Sequence, residues 1–261
     1  MRVEIDGLSL RFRSGIDVLR DVNLSVAPGE FVALLGPSGC GKSTLLNAIA
    51  DLLDPADLET SGSIRVDGAA PGAHGGRVDL GYVFQRDALL PWRSIRDNVE
   101  LGLEIRGVAA PERRRRATDL LALVGLAGFE RYYPHQLSGG MRQRVSLART
   151  LAYDPPLTLM DEPFGALDAQ NRLILQAELL RIWERTRTTI VFVTHDLAEA
   201  ILLAQRVVVF SKRPGTVKRV YDIPLPYPRD PFELRGSSEF TRLESAIWSS
   251  LRDEFRAGST P

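Results

Sequence analysis

The run Gly36-Pro37-Ser38-Gly39-Cys40-Gly41-Lys42-Ser43-Thr44 constrains this chain more than any other stretch. It lies between an apolar segment, Phe31 to Leu35, and the helix-prone Leu45-Leu46-Asn47-Ala48-Ile49-Ala50. A buried strand, a glycine-rich turn of the form GxxxxGK[ST] and a helix, in that order, make a phosphate cradle. The glycines let successive backbone N–H groups face a polyphosphate where a Cβ would block the approach, and the helix presents the positive end of its dipole there. Lys42 would reach the outer phosphates, and Ser43 would offer its hydroxyl to Mg²⁺. The cradle predicts binding of a nucleoside triphosphate but no particular use for it.

Composition narrows the use. The chain has 261 residues, 44% of them hydrophobic, enough to bury the core of one large domain or two small lobes. Thirty-three Lys and Arg balance thirty-three Asp and Glu, so no global field argues for nucleic acid or an anionic membrane surface. Cys40 is the only cysteine; it excludes an internal disulfide and fits a reducing, cytoplasmic setting. At the amino terminus Val3, Ile5, Leu8, Leu10 and Phe12 read as strand rather than as a signal peptide. The richest apolar span, Ile190 to Phe210, is interrupted by His195, Asp196, Glu199, Gln205 and Arg206, so no membrane-crossing segment is expected. Any link to a membrane then runs through a partner.

Two kinds of strand are predicted. Val3 to Phe12, then Val22, Leu24 and Val26, and later Ile64 and Val66, alternate apolar with polar, as half-exposed antiparallel strands do. Phe31 to Leu35, Leu157 to Met160, Ile190 to Val193 and Val207 to Phe210 are continuous apolar runs, expected where a strand is covered on both faces. Between Gln85 and Arg149 the pattern turns helical, over Ser94 to Arg106, Glu112 to Val124 and a segment opening after Ser138. The basic run Arg113 to Arg116 reads as a solvated helix face, and His74 and His135 as structural residues. Pro214 to Pro231 reads as an extended hairpin and linker. In the tail, Phe240, Leu243, Ile247, Leu251 and Phe255 make an apolar stripe that packs on the core or on a sister subunit.

Two further places carry chemistry. Leu157 to Met160 ends in Asp161-Glu162, and strand alternation would turn the two carboxylates in different directions. Asp161 can then address Mg²⁺ through water while Glu162 faces an attacking water, the two roles phosphoryl transfer requires beside a cradle. Ile190 to Val193 ends in Thr194-His195-Asp196, which places an imidazole at a strand's carboxyl end. Phe12 offers an aromatic face for a base, and taken alone serves equally as a core residue.

The segment Leu137-Ser138-Gly139-Gly140-Met141-Arg142-Gln143-Arg144, placed ahead of Asp161-Glu162, resembles the signature loop of ATP-binding-cassette (ABC) ATPases. Ser138 can cap the following helix, and Gly139 and Gly140 allow close approach to a phosphate. The resemblance covers the chain to about Phe210. It implies an α/β P-loop NTPase (RecA-like) core with an antiparallel β subdomain and an inserted α-helical subdomain. The core and β subdomain would span 1–85 and 155–231, the helical subdomain about 86–154, and a helical tail 232–261. It implies ATP and Mg²⁺ as cofactors, Phe12 stacked on adenine, and the whole run Gly36 to Thr44 on the phosphates. Ser43, Gln85 and Asp161 would serve the metal, Gln85 would also contact the attacking water, Glu162 would be the general base and His195 the γ-phosphate sensor. Ser138, Gly139 and Gly140 would close on ATP held by a second copy of the chain, with Asp168 spanning that interface. The family pattern has Gln more often than Met141 and Tyr more often than Phe12, neither of which removes a contact.

The segment Asp87-Ala88-Leu89-Leu90-Pro91-Trp92-Arg93-Ser94 is similar to a Leu-Leu-Pro-Trp element of the nitrate, sulfonate and taurine import group, as are Met141 and Lys212-Arg213-Pro214-Gly215. That likeness implies an ATPase subunit peripheral to the cytoplasmic face of the inner membrane. It would power permease subunits and, indirectly, serve a solute-binding protein. Trp92 would dock on the permease, or else sit in the core. The group includes ATPases for pyrimidine precursors of thiamine, so the solute stays open. An exporter does not carry the Leu-Leu-Pro-Trp element, a soluble ABC protein of translation or repair pairs two cassettes or carries long insertions, and a P-loop kinase or GTPase has no use for the signature loop.

Overall fold

The computed structural model describes residues 1–71 and 79–256. Of the sequence readings, His74 and the side chain of Phe255 lie outside the described residues. The chain opens with strands β1 (Val3–Phe12), β2 (Asp17–Val26) and β3 (Phe31–Leu35), then helix α1 (Lys42–Ile49), β4 (Leu58–Val66) and β5 (Leu80–Val83). Helices α2 (Ile95–Ile105), α3 (Ala110–Leu123) and α4 (Gly139–Leu151) follow, and β6 (Leu157–Asp161) returns the chain to the sheet. Next come α5 (Ala169–Thr186), β7 (Thr189–Thr194), α6 (Leu197–Leu203), β8 (Arg206–Phe210) and β9 (Val217–Asp222), and finally α7 (Pro231–Leu234) and α8 (Ser238–Arg256).

The strands form two sheets. One has the order β2-β1-β4 and is antiparallel; the other has the order β5-β6-β7-β3-β8-β9, parallel except for the β8–β9 hairpin. This is the α/β arrangement expected, with three helices between β5 and β6. The central strands are apolar throughout because each faces two cores. Phe31, Ala33 and Leu35 of β3 join one core with Met160, Phe192, Val207 and Val209, while Val32 and Leu34 join the other with Leu159, Val191 and Val208. The second core also takes Val3, Ile5, Leu24 and Val26 from the antiparallel sheet and Leu45, Leu46 and Ile49 from α1.

Two elements escape the pattern reading. β5 is four residues with Gly81 inside it, too short for a period. Between β7 and β8 the apolar span holds α6, whose composition matches that of its flanking strands, so periodicity does not separate them. β9, the sheet's half-exposed edge, pairs antiparallel with β8 and forms the extended hairpin read in Pro214 to Pro231. Expected helix starts shift slightly: α3 begins at Ala110 with Pro111 in its first turn, two residues ahead of Glu112. The tail stripe resolves in favour of the chain's own core, where Phe240, Leu243, Ile247 and Leu251 of α8 are buried alongside Ala200 and Leu203 of α6. Trp92 is 73% exposed, so the core alternative for it is excluded.

A buried cation ties the end of α6 to the linker. Arg229 is 5% exposed and donates to the carbonyls of Ile201, Leu202 and Ala204 at 3.0, 2.9 and 2.8 Å, and to those of Ile223 and Leu225 at 3.2 and 2.9 Å. It forms no ion pair among the described residues; the carbonyl end of α6 and the Tyr227 ring 4.0 Å away stand in for a counter-ion. Replacing Arg229 by Met orphans these carbonyls, and the loss of unfolding free energy in urea is expected to be about 3 kcal/mol.

Candidate nucleotide-binding site

Four neighbouring strands end level with one another. In the parallel register Leu35 pairs with Thr194, Val193 with Asp161, and Met160 with Val83, so the carboxyl ends of β3, β7, β6 and β5 form one ledge. Each strand delivers one group just past its last residue: the phosphate cradle after β3, His195 after β7, Glu162 after β6 and Gln85 shortly after β5. A crevice along such a ledge is where open α/β sheets bind ligands.

The cradle is tightly determined. Gly41, at φ 106°, caps α1, and a Cβ there would lie 2.7 Å from Leu19 Cδ2 and 3.1 Å from the Val18 carbonyl oxygen. Lys42 is 5% exposed, and its Nζ donates to the carbonyl oxygens of Gly36 and Pro37, both at 2.8 Å, which holds the ammonium over the loop. Ser43 Oγ donates to Asp161 Oδ1 at 2.9 Å. Burial pushes the Asp161 carboxyl above its ordinary range; the Ser43 hydrogen bond opposes the shift and the neighbouring Glu162 charge adds to it. A hydroxyl and a carboxylate sharing one spot form an oxygen donor set that suits Mg²⁺.

Glu162 departs from the expectation of simple strand alternation. The strand ends at Asp161, and Glu162 takes the left-handed conformation at φ 47° while its N–H still donates to the Val193 carbonyl oxygen at 2.9 Å. The turn, rather than the pleat, aims its carboxylate. Left-handed backbone costs a non-glycine residue about 1 kcal/mol or more, and such strain gathers at functional sites. Glu162 Oε2 accepts from Gln85 Nε2 at 3.4 Å and stands 3.1 Å from His195 Nδ1.

These groups border one cavity of about 450 Å³. Its floor is Ser38, Gly39 and Gly41 to Thr44; Gln85, Glu162 and His195 close one side. Phe12 and Val18, from strands β1 and β2, and Arg213 complete the lining. Phe12 both lines the cavity and packs on the second core. Gly36, Pro37 and Cys40 do not line the cavity: two serve Lys42 through their carbonyls, and the Cys40 thiol is buried beneath the loop. Burial also pushes that thiol's pKa up. Val18 and Arg213 are site residues that the sequence does not announce: Val18 belongs to no motif, and the Lys212-Arg213-Pro214-Gly215 element carries no phosphate-binding pattern.

Ser138, Gly139, Gly140 and Asp168 form a second group that does not line this cavity. Ser138 Oγ caps α4 by accepting from the Met141 N–H at 3.3 Å. Gly140 backs onto Ala166 and Leu167, where a Cβ would lie 3.1 Å from the Ala166 carbonyl oxygen. Asp168 caps α5, and the backbone and side-chain donors of Asn171, at 3.0 and 2.6 Å, hold its carboxyl below the usual carboxylate range.

The turn bearing His195 rests on a buried network. Glu199 accepts from Thr194 Oγ1 at 2.7 Å and from Gln176 Nε2 at 3.1 Å, while Arg172 donates to Asp196 at 3.4 Å and to the Leu167 carbonyl at 3.1 Å. Burial raises the Glu199 carboxyl's pKa, and the Thr194 hydroxyl moderates the rise. The spacing Asp196-x-x-Glu199 ahead of an apolar run is a helix-start pattern that could have announced α6.

Asp161 yields a pH test. Its carboxyl binds a proton more tightly in the folded than in the unfolded chain, so its charge opposes folding at neutral pH and ceases to do so as the pH falls through its raised pKa. Asp161→Asn keeps an acceptor for Ser43 without that charge. Its melting temperature in the absence of nucleotide is expected to exceed that of the wild type at pH 7.5, with the gain vanishing on acidification.

A model of the ABC transporter family matches residues 19–165. The chain is 44% identical over 263 residues to the nitrate import ATP-binding protein NrtD of Synechocystis, covering 97% of this chain and 96% of that one. It is 46% identical over 250 residues to the taurine import ATP-binding protein TauB of Rhizobium johnstonii, covering 95% and 90%. Among solved structures, a dimeric ATP-binding cassette in a post-hydrolysis state bound to ADP and Pi superposes with a TM-score of 0.76 at 34% identity, over 86% of this chain and all of the other. A P-loop NTPase core that gathers cradle, carboxylates and histidine on one ledge, and that is similar to these proteins over nearly its full length, leaves one conclusion: the chain belongs to the ABC transporter family and is an ATP-hydrolysing cassette.

Proposed function

We propose that this cassette is the ATPase subunit of an importer for a small anion of the sulfonate, taurine or nitrate type, working on the cytoplasmic face of the inner membrane. Two copies would close on two ATP molecules and drive separate permease subunits fed by a solute-binding protein. The observation that carries the reading is the separation of the two groups of nucleotide-directed residues. Lys42, Glu162 and His195 border the cavity, whereas Ser138, Gly139, Gly140 and Asp168 do not. One chain therefore offers half of each site, and a second copy supplies the other half.

In this mechanism the backbone of the Gly36 to Thr44 run and Lys42 bind the phosphates, and Phe12 stacks on adenine. Ser43, Gln85 and, through water, Asp161 would hold Mg²⁺, which neutralises charge on the transferring phosphoryl group. Glu162 accepts the proton of the water that attacks the γ-phosphorus as the bond to the β-phosphate oxygen breaks. Gln85 orients that water, and His195 contacts the γ-phosphate. Ser138 and the backbone of Gly139 and Gly140 bind the γ-phosphate from the opposite subunit, with Asp168 at the interface. Reopening after hydrolysis returns the permease to its resting state.

The relatives that import nitrate and taurine support the solute class, and the way Trp92 is presented supports a permease partner. Asn98 is fully buried; its Oδ1 accepts from the Leu90 N–H at 2.8 Å, and its Nδ2 donates to the carbonyls of Leu90, Arg93 and Ser94 at 3.1, 3.1 and 3.0 Å. This fixes the Leu90 to Ser94 turn and leaves the indole outside, a large apolar contact for a permease helix at low entropic cost. No helix among the described residues is long and apolar enough to cross a membrane, and the reading assigns that task to the permease.

Two measurements test the proposal. Glu162→Gln is expected to lower turnover at least about 100-fold and to accumulate an ATP-dependent dimer by size-exclusion chromatography with light scattering; normal turnover in the variant refutes the role of Glu162. Deleting the chain in its host is expected to abolish ATP-dependent uptake of labelled taurine, another sulfonate or nitrate. Unchanged uptake of all three overturns the solute class.

A further inference from the structure

The β8–β9 hairpin carries a feature that the mechanism above does not use. Its loop, Ser211 to Thr216, reaches the back of the phosphate cradle and is anchored there from several sides. Gly215 donates its N–H to the Val18 carbonyl at 2.8 Å and accepts from the Arg20 N–H at 3.0 Å. A Cβ on Gly215 would collide with the Cys40 carbonyl oxygen, so the loop lies in backbone contact with the cradle. Ser211 Oγ bonds to Thr216 Oγ1 at 3.0 Å and accepts from the Thr216 N–H at 3.0 Å, which closes the loop at its base. The Lys212 N–H donates to Glu254 of α8 at 2.9 Å.

From this braced loop Arg213 lines the nucleotide cavity, together with Phe12, Val18, Glu162 and His195. Several arginines elsewhere in the chain are held by carboxylates: Arg206 by Glu30, Arg172 by Asp196, Arg142 by Asp87. Arg213 has no hydrogen bond or ion pair to any described residue. An unpaired guanidinium on a rigid mount beside a polyphosphate cradle has its five donors available for phosphate oxygens. Its loop is anchored through Gly215 to Val18 and the Cys40 carbonyl, whereas Gln85, Glu162 and His195 cluster around the carboxylate that would serve the reacting phosphate, so the inner phosphates are the natural partners of Arg213.

We propose that Arg213 is a nucleotide-binding residue that contacts the α- or β-phosphate of the bound nucleotide. The inference rests on the proposed nucleotide role of this cavity and adds a second cation to Lys42. The contact is to phosphates that ADP keeps, so it strengthens substrate and product binding alike and does not act on the chemical step.

The test is calorimetric titration of the full chain with Mg-ADP, which avoids turnover. Arg213→Ala is expected to weaken binding about tenfold, equivalent to ~1.4 kcal/mol, and Arg213→Glu to weaken it further. Arg219→Ala, which removes the same charge from strand β9 outside the cavity, is expected to bind like the wild type. Melting temperatures equal to that of the wild type would show that the exposed substitutions leave the fold intact. If Arg213→Ala and Arg213→Glu both stay within about twofold of the wild type while Lys42→Ala loses binding, the proposal is overturned and the cavity's nucleotide role stands. If Arg219→Ala weakens binding as much as Arg213→Ala, the effect belongs to overall charge and the proposal again falls. A wild type that does not bind Mg-ADP overturns the reading of the cavity itself.

Discussion

The pairing of β3 with β7, and of β7 with β6, is the constraint on which the rest of this structure depends. Those strands run parallel and in register, from Phe31 with Ile190 to Leu35 with Thr194 and from Leu157 with Thr189 to Asp161 with Val193. Side-chain alternation has a period of two, so slipping one strand by a residue would exchange its two buried faces and drive core residues into the wrong core. The same slip would move Glu162 or His195 about 3.3 Å along the ledge, out of reach of each other. Packing and site geometry are thus secured by one set of backbone hydrogen bonds.

The groups that leave this ledge do so through turns that the strand pattern does not describe. Glu162 turns into left-handed backbone immediately after the last strand residue, and Gly41 turns the cradle into α1 where side chains of the β1–β2 hairpin leave no space for a Cβ. His195 stands at the mouth of α6, whose start is fixed by Asp196 and Glu199 and whose end is gripped by Arg229. Arg172 reaches both Asp196 and the Leu167 carbonyl, so the loop leading to Asp168 and the turn bearing His195 share a support.

The helical insertion illustrates how exposure separates roles that residue type leaves mixed. Leu89 and Trp92 belong to the same short segment, yet Leu89 is buried against Ile95 and Val99 in the first core while Trp92 stands in solvent. The arginines at 113 to 116 form, as the pattern implies, a solvated face laced by carboxylates. Arg115 and Arg116 both reach Glu112, whose carboxyl they pull down to about 2, and Arg113 reaches Glu100. With Arg113, Arg115 and Arg116 paired to carboxylates, three of the four charges in the run are already answered within the chain.

By itself the sequence determined what depends on local order: a cradle between strand and helix, apolar runs that must be covered on both faces, an acidic pair at a strand end and a serine poised to cap a helix. Each of these is a short-range consequence of backbone conformation and hydrophobic period. Tertiary structure alone decided which strand neighbours which, and therefore that Gln85, Glu162 and His195, far apart in the chain, meet within 3.4 Å. It also decided that α6 is a helix within a span of uniform hydrophobicity, that the stripe on α8 is buried by its own chain, and that Arg213 comes to the cradle at all. A loop residue of this kind acquires a position at the cradle only when the hairpin closes and its loop is braced against a distant turn. That long-range pairing is set by the burial of whole surfaces, and no window of the sequence contains it.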